Sequence, residues 1–156
     1  MADEYIKFIY NFDYYISIDK IIQIDINDSK YSQHLLKIKY PGIIGKIGDL
    51  EVLFLHYDNI DIAMEKWNRR KKRINKNFMI FKFNDQNLCE YRHLKAFNEF
   101  KAKNKICFTA KHYEEFNTIQ LKKFERYESV LIDIDEKNYK ENFDMYKYVN
   151  NICERL

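Results

Sequence analysis

The sequence predicts an α/β fold: a mainly parallel sheet of about four strands, helices packed on it, and an antiparallel edge extension. Three observations lead there. Between residues 50 and 110, short apolar runs alternate with segments of helical period, in the order strand, helix, strand, helix, strand. That order favours right-handed crossovers and parallel pairing. The three glycines and the single proline all fall within "PGIIGKIGDL" (41–50), which puts a strand-to-strand turn ahead of the alternating region. The 156 residues suit one domain, 1–156.

The elements follow in order. In "EYIKFIYNFDYYIS" (4–17), Tyr5, Phe8, Ile9, Phe12, Tyr15 and Ile16 recur at three and four, the stripe of an amphipathic first helix. "KIIQIDI" (20–26) and "HLLKIKY" (34–40) are short and β-rich and are expected as strands. "LEVLFLHY" (50–57) is a continuous apolar run, as in a strand covered on both faces. Asn59 is placed to cap a helix to about Asn75, with Ile60, Ala63, Met64, Trp67 and Ile74 as its stripe. "FMIFKF" (78–83), "NLCEYRHLKAFNEF" (87–100) and "KICFTA" (105–110) follow as strand, helix and strand. "SVLIDID" (129–135) is the expected last strand and "NFDMYKYVNNICERL" (142–156) the closing helix, with 111–128 unassigned.

Pro41 has no N–H for a ladder, and Gly42, Gly45 and Gly48 permit positive φ and close backbone approach. Two readings stand: a bulged turn joining two strands, or a loop whose amides face an anion. The window has neither a GxxxxGK[ST] motif nor a helix directly after it, which removes the usual nucleotide loops.

Composition narrows the function. Apolar residues make up 46% of the chain, enough for a core, and the net charge of +3 argues against a general nucleic-acid binder. The imbalance is local: "KWNRRKKRINK" (66–76) holds seven bases and no acid. Cys89, Cys107 and Cys153 are widely spaced, with no CxxC, so a reduced cytoplasmic setting is expected. No leader-like start is visible, and no apolar run approaches the roughly 18 residues of a membrane span.

In open α/β sheets ligands bind outside the carboxyl ends of the strands. Those ends would carry His56, Tyr57 and Asp58, then Asn84, Asp85 and Gln86, then Lys111, His112 and Tyr113, then Asp133 and Asp135. Parallel strands would gather them on one rim. His56, before a helix start, suits a base or a hydrogen-bond partner; its plain reading is a half-buried His bonded to the next turn. Lys66, Arg70 and Arg73 share a strip beside the apolar stripe, and Lys71 falls inside it. The strip reads as a solvated helix end, as a structural ion pair of Arg70 or Lys71 with a carboxylate, or as a phosphate site. Asp133 and Asp135, two apart on a strand, could hold Mg²⁺ or Mn²⁺.

Taken together, "YPGIIGKIGDLEVLFLHY", "EKWNRRKKRIN", "FMIFKFND" and "NKICFTAKHY" resemble the bacterial domain of unknown function labelled exopolysaccharide or capsular polysaccharide biosynthesis protein. The likeness covers roughly 35–115. It implies an α/β fold, a link to surface-sugar assembly, and characteristic positions at His56, Tyr57, Trp67, Arg69, Arg70, Arg73 and Asn75. It also implies that the chain corresponds to the C-terminal part of the family, since residues 1–40 lack the Asn-Asn-Cys segment of fuller members.

The expected function is binding or transfer of a phosphorylated or nucleotide-activated sugar. An enzyme of this kind would be a transferase. His56 would act as base. Gly42, Gly45, Arg70, Arg73, Lys111 and His112 would contact the anionic ligand, and Asp133 and Asp135 would hold the metal. One competing reading is a non-catalytic binding or assembly domain, which a homodimer would complete. A second is an RNA-contacting domain using the basic helix.

Overall fold

A computed structural model of the protein describes residues 1–131 and 143–154. The chain divides into two compact units, one formed by Lys7–Ile74 and the other by Met1–Ile6 with Asn75–Leu156. The division falls inside the first helix, α1 (Ala2–Tyr10).

The first unit is built on an antiparallel sheet of order β1 (Ile22–Ile24), β2 (Ile43–Ile47), β3 (Leu50–Phe54). With it come α2 (Phe12–Ser17), α3 (Ser32–Lys37) and α4 (Ile60–Lys71). The expected first helix is two, broken at Asn11, whose side-chain amide bonds back to the Lys7 carbonyl at 3.1 Å. β2 and β3 are joined by Gly48 and Asp49 alone, with Ile47 opposite Leu50. Gly48 has φ +62 and Asp49 does not share it, the pattern of a II′ hairpin turn, which puts glycine first. Asp49 then anchors the turn, accepting from the Tyr15 hydroxyl at 2.8 Å and pairing with Lys7.

The hairpin alternates its side chains. Ile43, Ile47, Leu50, Val52 and Phe54 enter one cluster with Tyr15, Ile21 and the α4 stripe Ile60, Ala63, Met64 and Trp67. Gly45 sits on this face, and a Cβ there would lie 2.6 Å from Ile21, 2.9 Å from Phe54 and 3.1 Å from Ile60. Its bareness lets α4 close on the sheet. On the other face Glu51 is buried, its carboxylate accepting from the Ser29 hydroxyl at 2.7 Å and from the Lys30 amide at 3.3 Å. Asn59 caps α4 as its position predicts, accepting from the Ile62 amide at 3.0 Å.

The second unit holds a parallel sheet of order β4 (Phe81–Asn84), β5 (Lys105–Thr109), β6 (Ile119–Gln120), with α5 (Tyr91–Glu99) as the β4–β5 crossover. α6 (Met145–Cys153) closes the described chain. Ile106, Phe108, Ala110, Leu121, Phe124 and Val130 form the core, joined by Ile80, Phe143 and Met145. Tyr5 stacks on Phe83, centroids 5.4 Å apart, and Phe83 on Phe97 at 5.1 Å.

The mixed α/β class and the parallel pairing hold, but the single sheet does not. Among the described residues three strands are parallel and the other three form a separate antiparallel sheet. β3 belongs to the second set because a two-residue connection permits only antiparallel pairing; parallel strands need a crossover of about a dozen residues or more. The expected strand at 34–40 is helix α3 and its exit. Only Leu35 of its apolar residues is buried, while Leu36 and Ile38 are exposed. The segment therefore buries one position, where a strand would bury an alternating face. β6 arises in the unassigned stretch. No strand begins at 129–131, and the rest of that expected strand lies outside the described residues.

Replacing Gly45 with Ala should overpack the α4 face and cost about 1–3 kcal/mol. Urea denaturation of the variant against wild type measures it.

Candidate functional site

The strongest candidate lies at one end of the antiparallel sheet, and local backbone chemistry builds it. α3 ends in a Schellman arrangement: Lys39 takes φ +51, its amide bonds to the Leu36 carbonyl at 3.1 Å, and the Tyr40 amide bonds to the Leu35 carbonyl at 2.9 Å. The chain then passes Pro41 and Gly42 into β2. Ile43 pairs with Phe54 as the last rung, so Pro41–Gly42 and Leu55–His56 both lie at this end of the hairpin. Gly42 has no room for a side chain. A Cβ would overlap the Phe54 carbonyl oxygen and lie 2.6 Å from the Tyr40 hydroxyl.

That hydroxyl is withdrawn from solvent and has no hydrogen-bond partner among the described residues. Burial pushes its pKa up to about 12. Beside it opens a groove of about 570 Å³, lined by Tyr40, Gly42, Ile43, Ile44 and the strand-to-turn segment Gln23–Ile26. Asp25 carries part of its polarity, although one of its oxygens already accepts from the amide and the side chain of Asn27, at 2.9 and 2.7 Å.

The expected site residues separate. His56 is exposed, two residues past β3, at the same sheet end as Gly42. Gly42 lines the groove, whereas Gly45 lies mid-strand, paired with Gln23 on one side and Val52 on the other. Arg70 and Arg73 are exposed and bear no ion pair among the described residues. Ten residues of helical rise, about 15 Å, separate Ile60 at the start of α4 from Arg70. Lys71, which falls in the apolar stripe, takes the structural role: it pairs with Asp19 and donates to the Ile18 carbonyl at 2.9 Å, which Trp67 Nε1 also reaches at 3.0 Å.

At the parallel sheet's carboxyl end buried groups tie the strand exits together, beside an open pocket of about 300 Å³ lined by Tyr5, Lys82, Phe83, Asn84, Gln86 and Asn87. Asp85 is buried, accepting from the Ala110 amide at 2.6 Å and the Val130 amide at 2.8 Å. It thus ties the exits of β4 and β5 to the segment at 130. Gln86 donates to the Val130 carbonyl and Asn84 bonds to Gln86 at 3.0 Å. Asn87 and Leu88 follow with φ +58 and +63, which delays α5 relative to its predicted start. Burial first, then the charges of Asp85 and Glu90, push the Cys89 thiol up to about 12, so it is no nucleophile at neutral pH. Lys111 donates to the Glu125 carbonyl at 2.5 Å, and His112 is exposed. His56 follows a strand of the antiparallel sheet and His112 a strand of the parallel sheet. Asp133 and Asp135 lie outside the described residues. Among the described residues no group of three or more His, Cys, Asp or Glu stands ready for a metal.

α5 opens with a buried histidine. The Glu90 amide donates to His93 Nδ1 at 2.9 Å, so Nε2 carries the proton and donates to Asp3 at 2.8 Å. Arg92 adds two bonds to Asp3, at 2.8 and 3.2 Å. Burial by itself would raise the Asp3 pKa, but the bonds from His93 and Arg92 outweigh it and hold the carboxyl below its usual 3.8. Composition and spacing gave no sign of this cluster, because its members are ninety residues apart.

With this geometry established, the comparisons place the chain. It belongs to a family described as a domain of unknown function, DUF1919, whose pattern it matches over residues 1–153. The match therefore extends well beyond 35–115, and the description names no activity and carries no polysaccharide label. The chain is also 31% identical over 113 residues to an uncharacterized protein of Haemophilus influenzae. That alignment covers 70% of this chain and 54% of the relative, so the chain spans about half the length of the curated relative it matches. No described helix is long and apolar enough to cross a membrane.

Two outcomes are expected. Asp85→Ala strands two buried amides and should cost about 3 kcal/mol, read by urea denaturation. Asp3 has a depressed pKa, so its stabilisation is present above the unfolded value near 3.8 and lost as pH falls through the lower folded one. Asp3→Asn should therefore be less stable than wild type at pH 7, with the gap shrinking below pH 3.8.

Proposed function

We propose that the antiparallel unit binds an activated sugar at the Tyr40–Gly42 end of its sheet. The observation that carries the reading is the open groove lined by Tyr40 and Gly42 at the sheet end where β3 also runs out toward His56. The lining supports it: one aromatic ring, four isoleucines and a few polar groups, the mixture that holds a small polar ligand in a fixed orientation. His56 would serve as base or hydrogen-bond partner if transfer occurs. Arg70 and Arg73, exposed and without an ion pair among the described residues, would neutralise phosphate. Their distance along α4 favours an extended ligand, a nucleotide sugar, over a simple sugar phosphate. The family resemblance adds polysaccharide assembly as the setting and a transferase as the enzyme class.

Calorimetric titration against nucleotide sugars and sugar phosphates, with and without Mg²⁺ or Mn²⁺, tests it. At least one should bind, and His56→Ala and Arg70→Ala should each weaken binding about tenfold, or about 1.4 kcal/mol. Folded protein that binds nothing in the panel would defeat the reading.

A specific observation favours assembly as a second reading. Leu36, Ile38 and Leu55 stand more than half exposed in this unit. A homodimer that dissociates on Ile38→Asp, measured by sedimentation, is its expected signature; a wild-type monomer excludes it.

A further inference from the structure

The groove contains one group that the fold leaves unsatisfied. Tyr40 Oη is buried without a partner among the described residues, although a phenylalanine would fill the same volume with no polar atom to desolvate. The backbone around it is fixed by the bond from the Tyr40 amide to Leu35 and by the left-handed Lys39, so motion is left to the side chain. Gly42 lies directly beneath the hydroxyl, and a Cβ at Gly42 would be 2.6 Å from it. The absence of a side chain there is what gives the ring its resting place. The ring also lines the groove. A donor held without a partner at the wall of a groove has a use only when something enters.

We infer that Tyr40 is the specificity-determining contact of this groove: its hydroxyl rests unpaired over Gly42 and, as the ring turns, donates a hydrogen bond to an acceptor oxygen of the entering ligand. This rests on the sugar-binding reading and deepens it. The acceptor is an oxygen of the sugar or of its phosphate. No covalent step is involved; one hydrogen bond forms and a buried orphan is relieved. Stability is therefore given up in the empty protein and recovered on binding.

The test uses Tyr40→Phe in the full chain, with UDP-glucose, glucose 1-phosphate and inorganic phosphate as probes. The expected result has two parts: a higher urea midpoint than wild type without ligand, and affinity for UDP-glucose lowered about tenfold, the worth of one hydrogen bond. Equal weakening of inorganic phosphate assigns the acceptor to phosphate, and weakening confined to the two sugar probes assigns it to the sugar. A variant less stable than wild type would show the hydroxyl already satisfied and overturn the inference whatever the binding. A more stable variant with unchanged affinities would overturn it too, while leaving the sugar-binding reading in place. Wild-type protein that binds none of the three probes overturns the inference, while the sugar-binding reading falls only if the wider panel is silent as well.

Discussion

The Gly48–Asp49 turn is the constraint on which the antiparallel unit depends. Two residues can reverse a chain between paired strands only with a positive φ at the first, and Gly48 supplies it at no steric cost. Once the turn is set, every later register is set with it. Ile47 meets Leu50, Gly45 meets Val52, and Ile43 meets Phe54. A slip of β3 by one residue would turn Val52 and Phe54 away from α4 and bring Glu51 under it. The same register brings Gly42 to the Phe54 carbonyl and so creates the close approach at the candidate site. The three glycines therefore have three jobs: reversing the chain, admitting α4, and leaving the sheet end bare.

The parallel unit solves a different problem. Its strands leave the sheet in one direction, and their exits must be held without a further strand. Asp85 does this with one carboxylate for two amides. A buried carboxylate costs desolvation and is tolerated only when its oxygens are bonded, as here. These bonds use the protein's own groups at the edge where a ligand site is expected in such sheets, and an open pocket of about 300 Å³ lies beside them. The functional reading favours the other unit, where a buried hydroxyl with no partner among the described residues borders an open groove.

Basic residues illustrate how similar side chains part ways. Lys71 is nearly enclosed, its side chain 12% exposed, and it is bound by Asp19 and a carbonyl. Arg70, its neighbour in sequence, points elsewhere on the helix and stays unpaired among the described residues. A 100° step per residue separates a structural cation from one available to a ligand.

Local chemistry was legible from the residues themselves. The α4 cap at Asn59, most of the α4 stripe and the β4–α5–β5 order depend on short-range geometry and emerge as expected, whereas the glycine window, read as a turn between strands, holds strand β2 and turns only at Gly48–Asp49. The candidate site was partly legible: His56 and Gly42 stood out, while Tyr40 did not, because a hydroxyl without a partner is a property of its surroundings. What only tertiary structure decided is which strands share a sheet, that 34–40 is a helix end and its exit, and that α1 contributes Asp3 to α5. The physical reason is common to all three. Periodicity records how a segment faces its own axis, whereas pairing, burial and hydrogen bonding at long range depend on which partner removes the most apolar surface and satisfies the most polar groups, and that partner is not written in the segment.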